Sequence, residues 1–407
     1  MKIVHVEDFV HPNAGYQVNM LARLQVQQGH TVDIVTGELE KVPCLLKDFF
    51  GSNNILSLDD LFRLQAGARI HRVPLLAYYS GRAIFQPFKL FKVVRQIKPD
   101  VVFVHSEDTV TGILFILLSR WLKYPIVLDC HMVEMASLNP FRNIFRMFYR
   151  AFITPIIINR NIPLIRVVDS DYVEKNFAIP LTYTKLLPLG TDTDLFKPHI
   201  ENMHRVRKDL DLASDAFLVI YAGKLDEDKG GKFFSEAILK KLETSAGRSI
   251  EFLIIGNSVG PYSRSVECNF KSSENLIRRL PTQPYLELAQ YYQAADLAVF
   301  PRQCSMSFFQ VQACGIPVLF EENEINIKRV GDGNAFTFKA GKIGSFRDKL
   351  VFLASQTKAD YSKFSQNARD YALDGYDFVE IAKGYTDVLS AAVDNWDLRH
   401  GTKSIHS

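Results

Sequence analysis

Residues Phe217–Gly231 read FLVIYAGKLDEDKGG. A short apolar run, rich in β-branched and aromatic residues, meets a loop of glycines and charges. The following KFFSEAILKKLE repeats apolar residues at helical spacing. The local pattern is therefore strand, loop, helix. In an open parallel sheet such loops lie at the carboxyl ends of strands, where ligands collect. Lys224 and Lys229 stand in this loop among Gly223, Gly230 and Gly231. Its plain reading is a solvated charged turn. Its chemical reading is a cradle in which two cations and nearby backbone hold a diphosphate.

Outward from this loop, both halves of the chain repeat the strand–helix alternation. The first half offers KIVHV, TVDIVT, ARIHRVPL, DVVFVHS, YPIVLDCH, LIRVVDS and TKLLPLG as strands. Between the first two, YQVNMLARLQVQQGH has helical spacing and stops at Gly29. The second half offers FLVIYAGKL, SIEFLIIGN, ENLIRRLP, DLAVFP, IPVLFE and NAFTFK. This predicts an α/β protein of two doubly wound, Rossmann-like domains facing each other across a cleft. The polar stretch from Thr191 to Leu212 is the predicted linker, giving domains over 1–198 and 212–377. No short repeat or low-complexity segment is evident, and the tail TKSIHS is expected to be disordered.

Composition narrows the function classes. The 407 residues are 47% hydrophobic and 23% charged, as in an ordinary folded domain pair. A net charge of +3 gives no reason to expect a nucleic-acid partner. Cys44, Cys130, Cys268, Cys304 and Cys314 are scattered without paired spacing, which disfavours a disulfide framework or zinc site and suits a reducing compartment. The N-terminus lacks a signal-peptide pattern, and the longest apolar run, GILFILLSRWL, is broken by Arg120. A cytoplasmic protein is expected.

The chain resembles the retaining GT-B glycosyltransferases of the family 4 type, also called glycosyl transferases group 1. Four stretches carry the resemblance in the family's order: HPNAGYQ…QQGHTVDIVT, LGTDTDLFKP, GKLDEDKGG and AADLAVFPRQCSMSFFQVQACGIPV. Each is weak alone, but their joint order over residues 1 to about 320 is specific. The resemblance implies a GT-B fold, with a C-terminal helix over 378–400 crossing back onto the first domain. It implies sugar transfer from a nucleotide-diphosphate sugar, UDP or GDP, to a glycan or lipid-linked glycan, as in bacterial surface polysaccharide or glycoconjugate assembly. The anomeric configuration is retained, no metal or other cofactor is required, and a leaving-group oxygen takes the acceptor's proton. No Asp-x-Asp stands in a plausible metal loop; DTD at 192–194 reads as a structural turn.

The resemblance also assigns residues. Lys224 and Lys229 would offset charge on the departing diphosphate, with Lys224 standing where the family usually has Arg and lacking its bidentate fork. Gly15 would let backbone approach the donor at a helix start. His131 would face the donor sugar, and His105, also at a strand end, ranks second. Gly223, Ser305, Met306, Ser307 and Phe308 would supply backbone to the nucleotide, and Gln310 replaces the ribose-binding glutamate. Losing that charge costs about 1–2 kcal/mol, or about tenfold in donor affinity. This substitution keeps two alternatives open: a non-catalytic sugar-nucleotide-binding subunit, or a sugar-nucleotide epimerase of the same fold.

Asn139–Ile162 interleaves Arg142, Arg146, Arg150 and Arg160 with five aromatic residues. It reads either as an interfacial helix on anionic lipid, making the protein peripheral to a membrane, or as a core-facing helix with a basic solvent side.

Overall fold

The computed structural model describes residues 1–42, 54–79, 82–132, 141–213, 215–244, 247–258, 260–302 and 307–401. Two compact units emerge: residues up to Leu189 together with those from Val379 onward, and Gly190–Phe378.

The first unit contains β1 (Lys2–Val6), β2 (Thr31–Gly37), β3 (Arg69–Val73), β4 (Leu75–Tyr79), β5 (Arg82–Phe85), β6 (Val101–Val104), β7 (Ile126–Cys130), β8 (Leu164–Arg166) and β9 (Lys185–Leu186). Seven of these form one sheet in the order β3-β2-β1-β6-β7-β8-β9, parallel at each pairing. Strands β6 and β7 are buried along their whole length, as a sheet covered on both faces requires. The helix Gln17–Gln27 ends at Gly29, whose φ of +87° suits glycine. The predicted single strand ARIHRVPL is in fact β3 and the start of an antiparallel hairpin of β4 and β5. Pro74 has no N–H to give a ladder, so the run divides there.

The second unit contains β10 (Phe217–Ala222), β11 (Ile250–Ile255), β12 (Leu276–Leu280), β13 (Leu297–Phe300), β14 (Val318–Glu321) and β15 (Ala335–Phe338). All six are parallel, in the order β12-β11-β10-β13-β14-β15. Phe217, Val219, Phe252 and Ile254 on the strands pack with Phe234, Phe270 and Phe346 on the helices in one core. Burying each phenylalanine stabilises by about 1.5–3 kcal/mol.

The expected linker is not one. The chain enters the second unit at Gly190, and Ile200–Asp209 is a helix within it. Only Val206 of that helix is buried, so its sequence looks like a solvated connector. Arg207 anchors it, bonding the Asp296 carboxylate at 2.6 Å and the Ala294 carbonyl at 2.9 Å. At the far end of the chain, the helix Phe378–His400 joins the first unit from Val379 onward. There Tyr385 donates from its hydroxyl to the Leu187 carbonyl (2.8 Å) and packs beside Phe103. The tail TKSIHS lies outside the described residues.

Along the Asn139–Ile162 stretch, Arg142–Phe148 is a helix with no buried residue. Phe145 of this helix packs against the core residues Tyr149 and Phe177. Phe141, Ile144, Met147, Phe148 and Phe152 are 41–70% exposed. Arg150 does not belong to a free basic face, because it donates to the carbonyls of Lys175 and Asn176 at the end of the helix Tyr172–Phe177.

Gly256 ends β11 at φ +129°, and a Cβ there would lie 1.9 Å from the Gly223 carbonyl oxygen. Gly256→Ala is therefore expected to destabilise the second unit by about 3 kcal/mol or more. Gly344→Ala, in open space on a helix, is expected to stabilise by about 0.5–1 kcal/mol. Thermal denaturation of the two variants checks the contrast.

Candidate active site

Each sheet reverses its winding between two neighbouring strands, β1 and β6 in the first unit, β10 and β13 in the second. A crevice opens at the carboxyl ends of such a pair, because the helices on either side leave in opposite directions. The predicted site residues within the described part fall at or near these two places.

In the first unit, β1 runs into His5-Val6-Glu7-Asp8 and β6 into His105-Ser106-Glu107-Asp108. These are two copies of one His-x-Glu-Asp pattern on adjacent parallel strands. Sequence reasoning missed Glu7, Asp8, Glu107, Asp108 and Asp129; the repeated spacing was the signal that could have found them. Asp8 clamps the hairpin, accepting from the Ala83 N–H and the Thr111 hydroxyl at 3.1 Å each. Burial, reinforced by Glu7, pushes its carboxyl up to about 7. Arg82 bonds Asp108 at 3.2 Å. Glu107 is fully buried beside the Cys130 thiol, with neither carboxyl oxygen in a hydrogen bond of good geometry. Burial and the neighbouring Asp108 push it up to about 8.

His131 follows β7 with its side chain 32% exposed. Its Nε2 lies 3.1 Å from Asp129 Oδ2, and His105 Nδ1 lies 2.8 Å from the same oxygen. Burial alone would lower the imidazole, but the Asp129 carboxylate, with Glu7 and Glu107, outweighs it and lifts His131 to about 9. Against its own burial, Asp129 is held well below the usual carboxylate range by His131 and His105. His131 is thus a cation at neutral pH and donates to Asp129. The ligating atoms of His105, Asp129 and His131 all lie within 4.8 Å of one another, close enough to share an ion. The hydrogen bonds to Asp129 already occupy those same atoms. Gly15 lies just before the helix Gln17–Gln27, whose N-cap Tyr16 makes no side-chain cap, leaving first-turn amides to other acceptors.

In the second unit, Gly223–Gly230 connects β10 to the helix Gly231–Ala237. Asp226 folds this loop by accepting the Lys229 N–H at 2.9 Å. Lys224 and Lys229 are both half-buried. Burial lowers the Lys224 ammonium, and Asp226 and Asp228 partly restore it. The loop touches the segment after β13: Arg302 donates to the Glu227 carbonyl at 2.8 Å, and Gly230 lies against Pro301. Beyond that segment, Ser307–Ala313 is a helix. Phe308 buries its ring against Phe320 and Tyr371, so its side chain is core and only its backbone is left for a ligand. Gln310 is buried, and its Oε1 has no hydrogen-bond partner among the described residues. Ser305 and Met306 lie outside the described residues.

With this geometry in place, comparison with known proteins is specific. Residues 14–154 match the glycosyl transferase 4-like domain and residues 216–356 match glycosyl transferases group 1. The chain is 23% identical over 319 residues to the Escherichia coli UDP-Gal:alpha-D-GlcNAc-diphosphoundecaprenol alpha-1,3-galactosyltransferase, covering 75% of this chain and 79% of that protein. Its fold is shared with a glycosyltransferase from Rickettsia africae (TM-score 0.72, 14% identity, 97% of this chain and 99% of that one). It is shared too with Anabaena Alr3699/HepE in complex with UDP and glucose (TM-score 0.69, 16% identity, 96% of this chain and 100% of that one). Two parallel-sheet α/β domains of this kind are the GT-B fold.

The raised Glu107 carboxyl has a stability consequence. Its cost is absent below about 4.5, grows as pH rises, and is complete above about 8, because only the unfolded chain ionises freely in that window. Glu107→Gln is expected to raise the melting temperature by about 2–6 °C at pH 8 and little at pH 4.5. Melting curves across that range check it.

Proposed function

The chain belongs to the group 1 glycosyltransferases, and from that premise we propose that it transfers a sugar, with retention, from a nucleotide-diphosphate sugar to a lipid-linked glycan. The observation that carries this reading is the switch point of the second sheet. Adjacent strands β10 and β13 bring the Lys224–Lys229 loop beside the segment leading to Gln310. Lys224 and Lys229 supply positive charge for the diphosphate as the glycosyl bond breaks. Gln310 offers its unpartnered carbonyl oxygen to a ribose hydroxyl. Gly223 and the backbone of Ser305, Met306, Ser307 and Phe308 complete the nucleotide's cradle. In the first unit, His131 meets the sugar and Gly15 permits close backbone approach.

In the reaction, an acceptor oxygen bonds to the anomeric carbon on the face from which the diphosphate leaves. The carbon–oxygen bond to the diphosphate breaks, and a leaving phosphate oxygen takes the acceptor proton. The two lysines fill the charge-neutralising role, so no metal is required. UDP is the expected nucleotide, ahead of GDP, because the E. coli relative's name and the Anabaena complex both carry it. A lipid-linked acceptor is supported by the diphosphoundecaprenol in that relative's name, and a role in bacterial surface polysaccharide assembly is part of the same proposal.

Among the described residues no helix is long and apolar enough to cross a membrane. The exposed Phe141, Ile144, Met147, Phe148 and Phe152, flanked by Arg142 and Arg146, suit peripheral contact with anionic lipid at the cytoplasmic face.

Calorimetric titration with UDP, GDP and ADP tests the donor site. UDP is expected to bind, Lys224→Ala or Lys229→Ala to weaken it about 10- to 100-fold, and Gln310→Glu to tighten it about tenfold. Absence of nucleotide binding contradicts the reading. Binding without transfer favours a donor-binding subunit, and sugar isomerisation without acceptor favours an epimerase. For the membrane contact, Phe148→Ser with Phe152→Ser is expected to abolish co-sedimentation with anionic vesicles. Unchanged sedimentation rejects it.

A further inference from the structure

The buried polar side chains behind His131 form one continuous string. Gln25 Oε1 lies 2.7 Å from His5 Nε2, and His5 Nδ1 lies 3.0 Å from His105 Nε2. His105 Nδ1 then reaches Asp129 Oδ2 at 2.8 Å, and that oxygen meets His131 Nε2 at 3.1 Å. The imidazoles of His5 and His105 are stacked, 12° from parallel. His5, Gln25 and Asp129 are fully buried and His105 nearly so. Four polar side chains so deep in a small unit are costly unless each has a partner and a use.

Their backbone setting is equally particular. Ser106 is a non-glycine residue at φ +69°, a conformation costing about 1–3 kcal/mol. Its N–H donates to Asp129 Oδ1 at 2.8 Å. That contact fixes one carboxylate oxygen, leaving the other to the two histidines. The paired His-x-Glu-Asp segments put His5 and His105 on adjacent strands at the switch point, where the string can be assembled.

We infer that Asp129, steadied from behind by Gln25, His5 and His105, is the positioning group for His131, committing its Nε2 to the protein and leaving Nδ1 for the ligand. The inference rests on the proposed role of His131 facing the donor sugar. Protons along the string can be placed consistently. His5 Nε2–H donates to Gln25 Oε1, His5 Nδ1 then accepts from His105 Nε2–H, and His105 Nδ1–H donates to Asp129. His5 is then neutral; burial and His105 lower it to about 3. Asp129 carries the one negative charge of the string and accepts from both His105 and His131. His131 Nδ1 has no partner among the described residues, so its N–H is available to a sugar hydroxyl or a departing phosphate oxygen. Glu7 and Glu107, from the ends of the two neighbouring strands, also act on this ring.

The decisive experiment is nitrogen NMR of the full chain labelled at histidine, with transfer kinetics run alongside. Wild-type His131 is expected to carry protons on both nitrogens at pH 7.5 and to titrate near pH 9. Asp129→Asn is expected to lower that midpoint by about two pH units. It should also lower kcat about 10- to 100-fold with the donor KM little changed. His5→Phe, which keeps the ring packing and cuts the string, should free the His131 ring and lower kcat by a smaller factor; it serves if Asp129→Asn does not fold. His105→Gln, which still donates and accepts, should retain more activity than His105→Phe. An unchanged His131 titration in both Asp129→Asn and His5→Phe overturns the inference. So does a stoichiometric zinc or manganese ion lost on His131→Ala. The NMR signal needs no turnover, so a chain that transfers no sugar fails the proposed function without deciding this point.

Discussion

A doubly wound parallel sheet has one place where backbone donors, acceptors and loops face an unfilled crevice: between the two strands where the winding reverses. This chain builds that place twice, at β1/β6 and at β10/β13. The candidate site residues among the described part fall at or near those two strand pairs. The residues that must be charged or polar are therefore pushed to strand ends, where the apolar interior stops.

The two switch points solve different electrostatic problems. In the second unit a glycine-rich loop presents lysines whose burial makes an anionic ligand favourable company. Gly256 lets the loop after β11 approach the Gly223 carbonyl so closely that no Cβ fits there. In the first unit the crevice is acidic. Four carboxyls come from the two His-x-Glu-Asp segments near the partly exposed His131, and burial raises all four. Only Asp129 is driven firmly to the anion, by the two histidines it joins. The two environments differ accordingly: cations line the loop of the second unit, and buried carboxyls with a histidine pair line the strand ends of the first.

Much of this was legible in the sequence. The sheet strands were visible as apolar runs, and the lysine loop declared itself by its glycines and by its place after FLVIY. What escaped has identifiable causes. The helix Ile200–Asp209 looks like solvated chain in sequence because it buries a single valine and relies on Arg207 for its anchorage. The hairpin was hidden because Pro74 divides an apolar run without altering its hydropathy. The arginine stripe appeared uniform at four-residue spacing, yet Arg150 serves a helix end inside the unit. Asp129 looked like an ordinary strand residue; its role depends on His5 and His105, both remote in sequence and adjacent only once the parallel sheet forms. Long-range pairing of that kind leaves no local periodicity to read.

The most direct test of the account is a crystal structure of the chain with UDP. The diphosphate is expected against the Gly223–Gly230 loop, with the Lys224 and Lys229 ammonium groups on its oxygens and the ribose at Gln310. Density for the nucleotide elsewhere, with both lysines turned to solvent, would contradict it.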